Sequence, residues 1–262
     1  MFVFIILRGL NSLKKGNEYI NENNVVHVDS TLFNVFTLPA ISGETKTALN
    51  EPNTVVLTRK AAIKYFGSFT VVGKTIETRE NNGTLYKVTA VIEDVPTNSH
   101  FNFDFFFSMD NVNYPFGNYL SPNFQTYLLL KPGTDYRVIE KNFPQYLNKY
   151  VLPQAKEYMQ INSMEEFTRS GNKLSYSLMP LTKIHLFSDL APEFGVNGNI
   201  QYVHIFSAVA LFILLIACIN FVNLSTARSA NRAKEVGIRK VLGTRQNSLI
   251  KQFLTESILT AF

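Results

Sequence analysis

The sequence predicts an α+β extracytoplasmic domain of mixed short strands and helices, followed by a transmembrane α-helix. An amphipathic cytoplasmic helix comes next and leads into a truncated further helix. Three observations predict this order. Short β-branched segments separated by turn residues fill residues 1–200, an uncharged apolar stretch follows them, and the last quarter of the chain carries the whole net charge of +5.

Composition and charge exclude several classes of protein. The chain has 262 residues and is 17% charged, against roughly 25% in an average soluble domain, so wholesale disorder is not expected. Its single cysteine, Cys218, excludes an internal disulfide and a cysteine-based zinc site. Residues 201–262 hold seven basic and two acidic residues, whereas residues 1–200 hold 18 of each. The basic excess therefore indicates membrane topology rather than nucleic-acid binding.

Eight segments of the first 200 residues are rich in β-branched or aromatic residues or alternate in polarity, and we predict strands for them. They are Val25–Asp29, Thr54–Thr58, Thr70–Ile76, Leu85–Val95, Phe101–Met109, Gln125–Lys131, Lys173–Leu178 and Lys183–Phe187. The third and fourth segments flank Asn81-Asn82-Gly83, which is a turn sequence typical of a hairpin.

Two helices are predicted in the same region. Arg59–Phe66 follows Thr58, whose hydroxyl can cap the first turn, and precedes Gly67, which can adopt a left-handed conformation. Asp135–Tyr150 is the second helix, and a bend is expected in it at Pro144.

No motif predicts a catalytic residue, a cofactor or a metal site. Gly67–Thr75, GSFTVVGKT, has five residues between its glycines where a phosphate-binding loop needs four, and it follows a helix. The histidines lack metal-ligand spacing; they are His27, His100, His185 and His204. An acid–base or metal site is conceivable near His100, where three aspartates are close in sequence: Asp94, Asp104 and Asp110. The turn residues between Asp94 and His100 favour loop and capping roles instead.

The stretch Val203–Leu224 is predicted to cross a membrane. Its 22 uncharged residues span about 33 Å as a helix, enough for a hydrocarbon core of about 30 Å. The alternative, a buried helix of a soluble protein, is disfavoured because residues 208–217 are apolar on all sides. Five basic residues follow within about 16 positions of Leu224. This asymmetry predicts that residues after about 224 are cytoplasmic and that residues before about 203 lie outside the cytoplasm.

The basic stretch after the apolar one predicts a helix with a charged stripe. The charged residues of this stripe are spaced four, three and four positions apart: Arg228, Arg232, Glu235 and Arg239. Gly237 weakens this helix, and Gly243 is placed to end it. A second amphipathic segment follows, with apolar residues at Leu249, Ile250, Phe253, Leu254, Ile258 and Leu259. The basic stretch is either a helix resting on anionic lipid or a surface that docks a partner.

Both ends of the chain suggest a fragment. MFVFIILRGL, the first ten residues, has an apolar run too short to span a membrane and lacks the features of a signal peptide. The chain stops at Phe262 within an apolar-periodic segment. We therefore expect the full protein to have an upstream helix and at least one downstream helix.

Two runs near the C-terminus carry a family resemblance. Glu235–Gly243 is EVGIRKVLG, and Gln252–Ser257, QFLTES, follows it. With the residues from Asn223 onward, they resemble the FtsX-like permease domain of MacB-type ABC transporters. Several upstream segments resemble the periplasmic core domain that precedes this permease domain, in the form that it takes in Bacteroidetes. These segments are Phe33–Phe36, Gly43, Val55–Gly67, Gly73-Lys74, Val88–Val95 and Pro96–Phe103. The resemblance covers about residues 20–262.

The resemblance implies a division of the chain. Residues 1–19 are an atypical N-terminal stretch, residues 20–200 a MacB-like periplasmic core domain, and residues 201–262 a partial FtsX-like permease domain. In the last of these, about 203–224 would be the transmembrane helix, about 225–247 the cytoplasmic coupling segment and about 248–262 the start of the next helix. Family members usually have four membrane helices, so the resemblance implies that the first, the fourth and most of the third lie outside this chain.

The resemblance also implies a function. The chain would be a non-catalytic permease subunit in the cell inner (plasma) membrane, and would form a homodimer or heterodimer of permeases. It would couple ATP hydrolysis by a partner ATP-binding subunit to a conformational change of the periplasmic domain, for export, extraction or signalling. The residues expected to couple to the ATPase are Arg232, Glu235, Gly237, Arg239, Lys240 and Gly243.

Two other interpretations stay open at this point. A single-span extracytoplasmic sensor would relay a signal to a cytoplasmic module, and it predicts a signalling domain after residue 262 where the permease predicts more membrane helices. A membrane-anchored enzyme would require that the domain of residues 20–200 turn over a substrate.

Overall fold

The structure is a computed structural model that describes residues 2–79, 83–112, 117–120, 124–190, 193–231 and 233–261. It divides into an N-terminal unit, residues 1–197, and a C-terminal unit, residues 198–262. The strands of the described residues all lie in the N-terminal unit. They are β1 Phe2–Lys15, β2 Glu18–Val28, β3 Ala40–Gly43, β4 Thr54–Thr58, β5 Thr75–Thr78, β6 Thr84–Ile92, β7 Phe105–Ser108 and β8 Gln125–Leu129.

Short helices complete the N-terminal unit, and three longer ones form the C-terminal unit. The first group is α1 Leu32–Val35, α2 Arg59–Phe66, α3 Tyr136–Glu140, α4 Phe143–Tyr146, α5 Leu152–Met159, α6 Met164–Arg169 and α7 Leu181–Phe187. The second group is α8 Ile200–Asn231, α9 Ala233–Val241 and α10 Gln246–Ala261. A π-helical turn, Leu147–Val151, joins α4 to α5.

The eight strands form one mixed sheet. Their order is β2-β7-β4-β6-β5-β1-β8, and β3 pairs with β6. The β2–β7 and β4–β6 pairs are parallel, and the other pairs are antiparallel. Because β1 also pairs with β2, the pairings among β1, β2, β7, β4, β6 and β5 close into a circuit.

The central strands are buried on both faces of the sheet. Phe106 of β7 packs in one apolar cluster with Val26 and Val56. Its neighbours Phe105 and Phe107 pack in a second cluster, on the opposite face, since alternate residues of a strand point in opposite directions. Strands covered on both faces consist of nearly continuous apolar residues, which explains the FFF sequence of β7 and the VVL sequence of β4.

Helix α2 has the limits predicted from its capping residues. The Thr58 hydroxyl accepts a hydrogen bond from the Ala61 N–H at 3.3 Å. Gly67 has a φ of +70° and donates its N–H to the Ile63 carbonyl at 2.9 Å. The buried Ala61 and Ala62 place α2 against the second core cluster. The predicted helix Arg59–Phe66 is therefore confirmed.

Six of the eight predicted strands overlap strands of the structure, and five of these six have changed limits. Thr54–Thr58 is β4, and Val25–Asp29 lies almost wholly within the longer β2. The predicted hairpin is formed by β5 and β6, which pair antiparallel with Thr78 opposite Thr84. Its turn residues Asn81 and Asn82 lie outside the described residues. Strands β7 and β8 are shorter than the predicted segments that contain them.

The predicted strand Lys183–Phe187 is wrong, because these residues lie in α7. A run of five residues with apolar positions at 184, 186 and 187 fits both a strand and a helix. The helix begins after Pro180, whose carbonyl accepts a hydrogen bond from the Lys183 N–H at 2.8 Å.

The predicted strand Lys173–Leu178 is also wrong. Its side chains alternate between half-buried and exposed, as in a strand, but it has no place in a ladder. The Leu178 N–H donates instead to the Glu140 carboxylate at 2.7 Å. Alternating polarity here produces an extended segment that joins no sheet.

The predicted helix Asp135–Tyr150 is interrupted. It divides into α3 and α4 at Lys141 and Asn142, two residues before Pro144. Proline is favourable in the first turn of a helix because that turn needs no N–H donor, so Pro144 begins α4 rather than bending a longer helix. Beyond Tyr150 the helical conformation continues through α5 to Met159.

Because His27 of β2 is buried, the stability of the fold should depend on pH. The ring is 6% exposed and stacks on Phe107 at 5.4 Å between centroids, and burial lowers its pKa to about 4. The unfolded chain therefore binds a proton that the folded chain does not between pH 6.5 and pH 4. We expect stability to fall by up to about 3 kcal/mol as the pH falls through this window.

The measurement is the free energy of unfolding by denaturant at pH 7 and at pH 4.5. His27→Gln removes the buried imidazole and should lose clearly less stability between the two pH values than the wild type. His185→Gln, which changes an exposed ring, is the matched control and should keep the wild-type loss. An equal loss in His27→Gln and the wild type would contradict the prediction.

Candidate functional site

Helix α8 contains the predicted membrane-spanning stretch. Within the described residues, Ile200–Ala227 is long and apolar enough to cross a membrane. None of its apolar stretch is buried within the protein, whereas the core helix of a soluble protein is mostly buried. The predicted span Val203–Leu224 lies inside this helix. We therefore treat α8 as a transmembrane segment.

Five of the six predicted coupling residues lie on α9 and the turn after it. Gly237 and Lys240 are exposed within α9, and Gly237 has no atom within 4 Å of where a side chain would begin. Glu235 belongs to α9 by its backbone, which is the part of it that the structure describes. Arg232 lies outside the described residues. The charged stripe that includes Arg232 and Glu235 therefore stays a prediction.

Backbone hydrogen bonds around Gly243 end helix α9. Gly243 has a φ of +88°, which a residue with a side chain rarely adopts. Its N–H donates to the Lys240 carbonyl at 3.2 Å, and the Thr244 N–H donates to the Arg239 carbonyl at 3.1 Å. This pair of hydrogen bonds is the Schellman motif that ends helices at a glycine. The role predicted for Gly243 in ending the helix is therefore confirmed.

A side-chain hydrogen bond joins α9 to α10. Arg239 donates from Nη1 to the Gln252 Oε1 at 3.2 Å. Gln252 opens the QFLTES run, so this contact connects the two runs that carry the family resemblance. In α10, Leu249 is buried whereas Ile250 and Leu254 are exposed. Arg239 therefore links α9 to α10 and is not simply an exposed charge.

Three apolar side chains of α9 and its end are exposed, and sequence reasoning gave them too little weight. They are Ile238, Val241 and Leu242, and they lie around Lys240 in sequence. The motif directs attention to its charges, but an interface usually has an apolar centre with charges at its rim. The signal in the sequence was the apolar pair Val241-Leu242 placed directly before the helix-ending glycine.

Two of the three aspartates near His100 have structural partners. Asp104 accepts hydrogen bonds from Asn24 at 3.0 Å and Thr58 at 3.1 Å, and it lies 2.8 Å from the Lys60 ammonium. Asp94 accepts the Lys60 N–H at 2.8 Å and so caps α2. Among the described residues, no group of three or more His, Cys, Asp or Glu side chains is placed to hold a metal.

His100 and the aspartates do not form one site. His100 Nε2 lies 2.6 Å from the Tyr127 hydroxyl, and aromatic rings of Phe101 and Phe194 surround it. Burial lowers the pKa of His100, and the nearby Glu193 carboxylate opposes this effect. The geometry is that of a packed aromatic cluster.

The GSFTVVGKT segment forms a turn into β5. Gly67 ends α2, Val71 is buried in the core, and the Lys74 N–H donates to the Val71 carbonyl at 3.0 Å. The Lys74 ammonium lies 5.5 Å from the centroid of the Phe66 ring. Core packing therefore uses Val71, at a position where a phosphate-binding loop would need a small residue.

Two protein-family models match the chain. The model of the MacB-like periplasmic core domain matches residues 5–146, which is 142 of the 262 residues, and the model of the FtsX-like permease C-terminal domain matches residues 207–262. A search of curated protein sequences gives no match.

Solved structures of similar fold are also found. A crystallised domain from Porphyromonas gingivalis, described as part of a permease, is 18% identical, with a TM-score of 0.50, and the match covers 57% of this chain and 70% of that one. The periplasmic region of MacB from Actinobacillus actinomycetemcomitans is 16% identical, with a TM-score of 0.41 and coverage of 67% and 78%. The extracellular domain of the ABC-type transporter YknZ from Gram-positive bacteria is 13% identical, with a TM-score of 0.39 and coverage of 68% and 80%.

The first family model covers more than half of the chain, and the second covers the helices that follow the N-terminal unit. The mixed α/β sheet, the transmembrane helix and the two runs on α9 and α10 agree with both. The chain therefore belongs to the MacB/FtsX-type permeases, the membrane subunits of ABC transporters.

Proposed function

We propose that this permease couples ATP hydrolysis by a partner ATP-binding subunit to a conformational change of its periplasmic domain. The observation that carries the proposal is the end of α9, where the apolar Ile238, Val241 and Leu242 and the charged Lys240 are all exposed. A helix end that exposes both apolar side chains and a positive charge is suited to a partner surface with an apolar pocket and acidic edges. ATP hydrolysis takes place in the partner, and this chain is not an enzyme.

The geometry of α9 supports its role as a rigid contact. The hydrogen bond of Arg239 to Gln252 holds the segment among its exposed residues, and the Schellman motif at Gly243 holds it at its end. A contact that is already ordered loses little conformational entropy on binding. The open surface at Gly237 would allow the partner's backbone to come close.

The proposal includes a topology and a domain division. Residues 20–200 lie in the periplasmic core domain of an inner-membrane protein, and about 225–247 form the cytoplasmic coupling segment. The basic residues after α8, against their scarcity before it, support this orientation. Two such permeases, identical or different, would assemble with the ATP-binding subunits.

Lys240→Glu tests the docking surface. Lys240 is exposed, and reversing its charge should weaken binding of the ATP-binding subunit about tenfold, or about 1.4 kcal/mol. Arg239→Glu is less informative because it also breaks the contact with Gln252. The measurement is the affinity of the membrane-embedded permease for the co-expressed ATP-binding subunit, together with its stimulated ATPase rate.

Lys156→Glu is the control. Lys156 is an exposed lysine of α5, in the N-terminal unit that the proposal places on the other side of the membrane. It should retain the wild-type affinity. If Lys240→Glu binds as tightly as Lys156→Glu and the coupled ATPase rate is unchanged, α9 is not the docking surface.

A further inference from the structure

The last segment of the N-terminal unit has an unusual concentration of exposed apolar side chains. Of the described residues in that unit, fifteen large apolar side chains are exposed, and five of them fall within residues 179–196. The most exposed of these five are Val196 at 94%, Leu190 at 70% and Phe187 at 52%. An apolar patch of this kind in a soluble unit usually marks a contact surface.

A hydrogen bond holds part of this segment beside Asn197, which comes three residues before α8 in the sequence. The Asn197 side chain donates to the Ser188 carbonyl at 2.9 Å, so the residues beside Ser188 lie next to Asn197. Ser188 also donates its hydroxyl to the Glu193 carboxylate. The chain from Asn197 to Ile200, where α8 begins, is three residues long and spans at most about 11 Å.

The same segment has one aromatic side chain that points inward. Phe194 is buried, with its ring 4.9 Å from that of Phe103 and 6.1 Å from that of Phe101. This contact fixes the segment to the core of the unit. Leu190 and Val196, on either side of Phe194 in sequence, are left on the outside. Their exposure therefore belongs to a pinned segment rather than to a loose tail.

We infer that Phe187, Leu190 and Val196 form a pre-span patch that inserts into the lipid headgroup region at the N-terminal end of α8. The inference rests on α8 crossing a membrane and does not depend on an ATPase partner. Two features favour lipid as the occupant. Tyr202, two residues into α8, is an aromatic residue of the kind enriched at the membrane interface. The Lys183 ammonium lies 5.9 Å from the Phe187 ring centroid, so a positive charge that can bind lipid phosphate lies beside the patch.

The size of the patch argues against a second copy of the chain as the occupant. Three side chains of this size present on the order of 400 Å² at most, whereas a stable protein interface buries roughly 800 Å² on each partner. Insertion of a few apolar side chains is sufficient for an interfacial contact, because α8 already holds the protein in the membrane.

Tryptophan fluorescence can test the patch without background, because the chain has no tryptophan. Leu190→Trp and Val196→Trp place a reporter in the patch. Tyr158→Trp, at a residue that is 72% exposed and far from α8 in sequence, is the matched control. Each variant of the whole chain is reconstituted in vesicles of phosphatidylethanolamine and phosphatidylglycerol, with or without lipid brominated on the acyl chain near the headgroup.

We expect brominated lipid to quench roughly half of the emission of the two patch variants. Iodide in the water should quench little of it. The reason is that interfacial residues lie about 5–10 Å into the headgroup and acyl boundary. Tyr158→Trp should show the reverse. If iodide quenches the patch variants as it quenches Tyr158→Trp, the patch is in water. If neither agent quenches them, another protein surface covers the patch. Either result would overturn the inference, and neither bears on α9.

Discussion

Replacing Phe106 by alanine is expected to lower the free energy of unfolding of the N-terminal unit by about 3–5 kcal/mol. The side chain is 1% exposed and packs at the centre of one face of the sheet, with Phe33 and Phe103 at ring distances of 6.2 and 6.3 Å. Its removal loses apolar burial and leaves a cavity that rigid β7 cannot close, because both neighbours in the strand are held by the opposite face.

The measurement is denaturant unfolding of the whole chain in detergent, followed by the near-ultraviolet circular dichroism of its aromatic residues. Phe69→Ala makes the same chemical change at a side chain that is 45% exposed, in the turn before β5. This variant should lower the free energy of unfolding by less than about 1 kcal/mol, because surface substitutions usually change stability by only about 0.5 kcal/mol. Equal losses in the two variants would show that Phe106 is not in the core of the folded chain.

Two arginines in the middle of α8 are expected to prevent stable insertion in the membrane. Leu211 and Leu215 are exposed residues near the centre of the predicted span. Each Leu→Arg change there costs about 3 kcal/mol or more, so the double variant should lose about 6 kcal/mol of insertion free energy. We expect it to leave the membrane pellet on extraction with alkaline carbonate, whereas the wild type stays.

The control introduces the same number of arginines at the ends of the span. Val203→Arg with Leu224→Arg places the charges where long side chains can reach the headgroups, at much lower cost. This variant should stay in the pellet. If Leu211→Arg with Leu215→Arg stays there as well, α8 does not cross the membrane, and the pre-span patch loses its basis.

Features that depend on a few neighbouring residues were predictable. Thr58 and Gly67 mark the ends of α2 by hydrogen bonds that reach only three or four residues. Gly243 ends α9 for the same reason. The span in α8 follows from length and hydropathy alone. The β4 strand was equally clear, because a β-branched run has few other stable conformations.

The conformation of a short segment was not predictable where its pattern of apolar residues fits both a strand and a helix. Lys183–Phe187 fits a strand by alternation and a helix by its apolar spacing, and only the start of a helix after Pro180 distinguishes them. Lys173–Leu178 has the polarity of a strand but no neighbouring strand, and its Leu178 N–H bonds to Glu140. Whether an alternating segment joins a sheet depends on the residues beside it, which can be far away in sequence.

The candidate site shows the same division. The charged motif on α9 is visible in sequence, but its exposed apolar residues are identified only once α9 and α10 are placed. Arg239 was expected to act as a surface charge, and the structure gives it a partner, Gln252, thirteen residues later. The pre-span patch is still less visible, because nothing in the sequence tells that Phe194 points inward and Val196 outward.

The sequence by itself determined the order of parts: a mixed α/β unit, one membrane helix and a basic segment that ends at Gly243. The tertiary structure decided which distant residues meet. β1 pairs with β8 and with β2, and Asp104 joins Asn24 to Thr58. The physical reason is that caps, turns and hydropathy act over a few residues, whereas strand pairing and core packing select among partners throughout the chain.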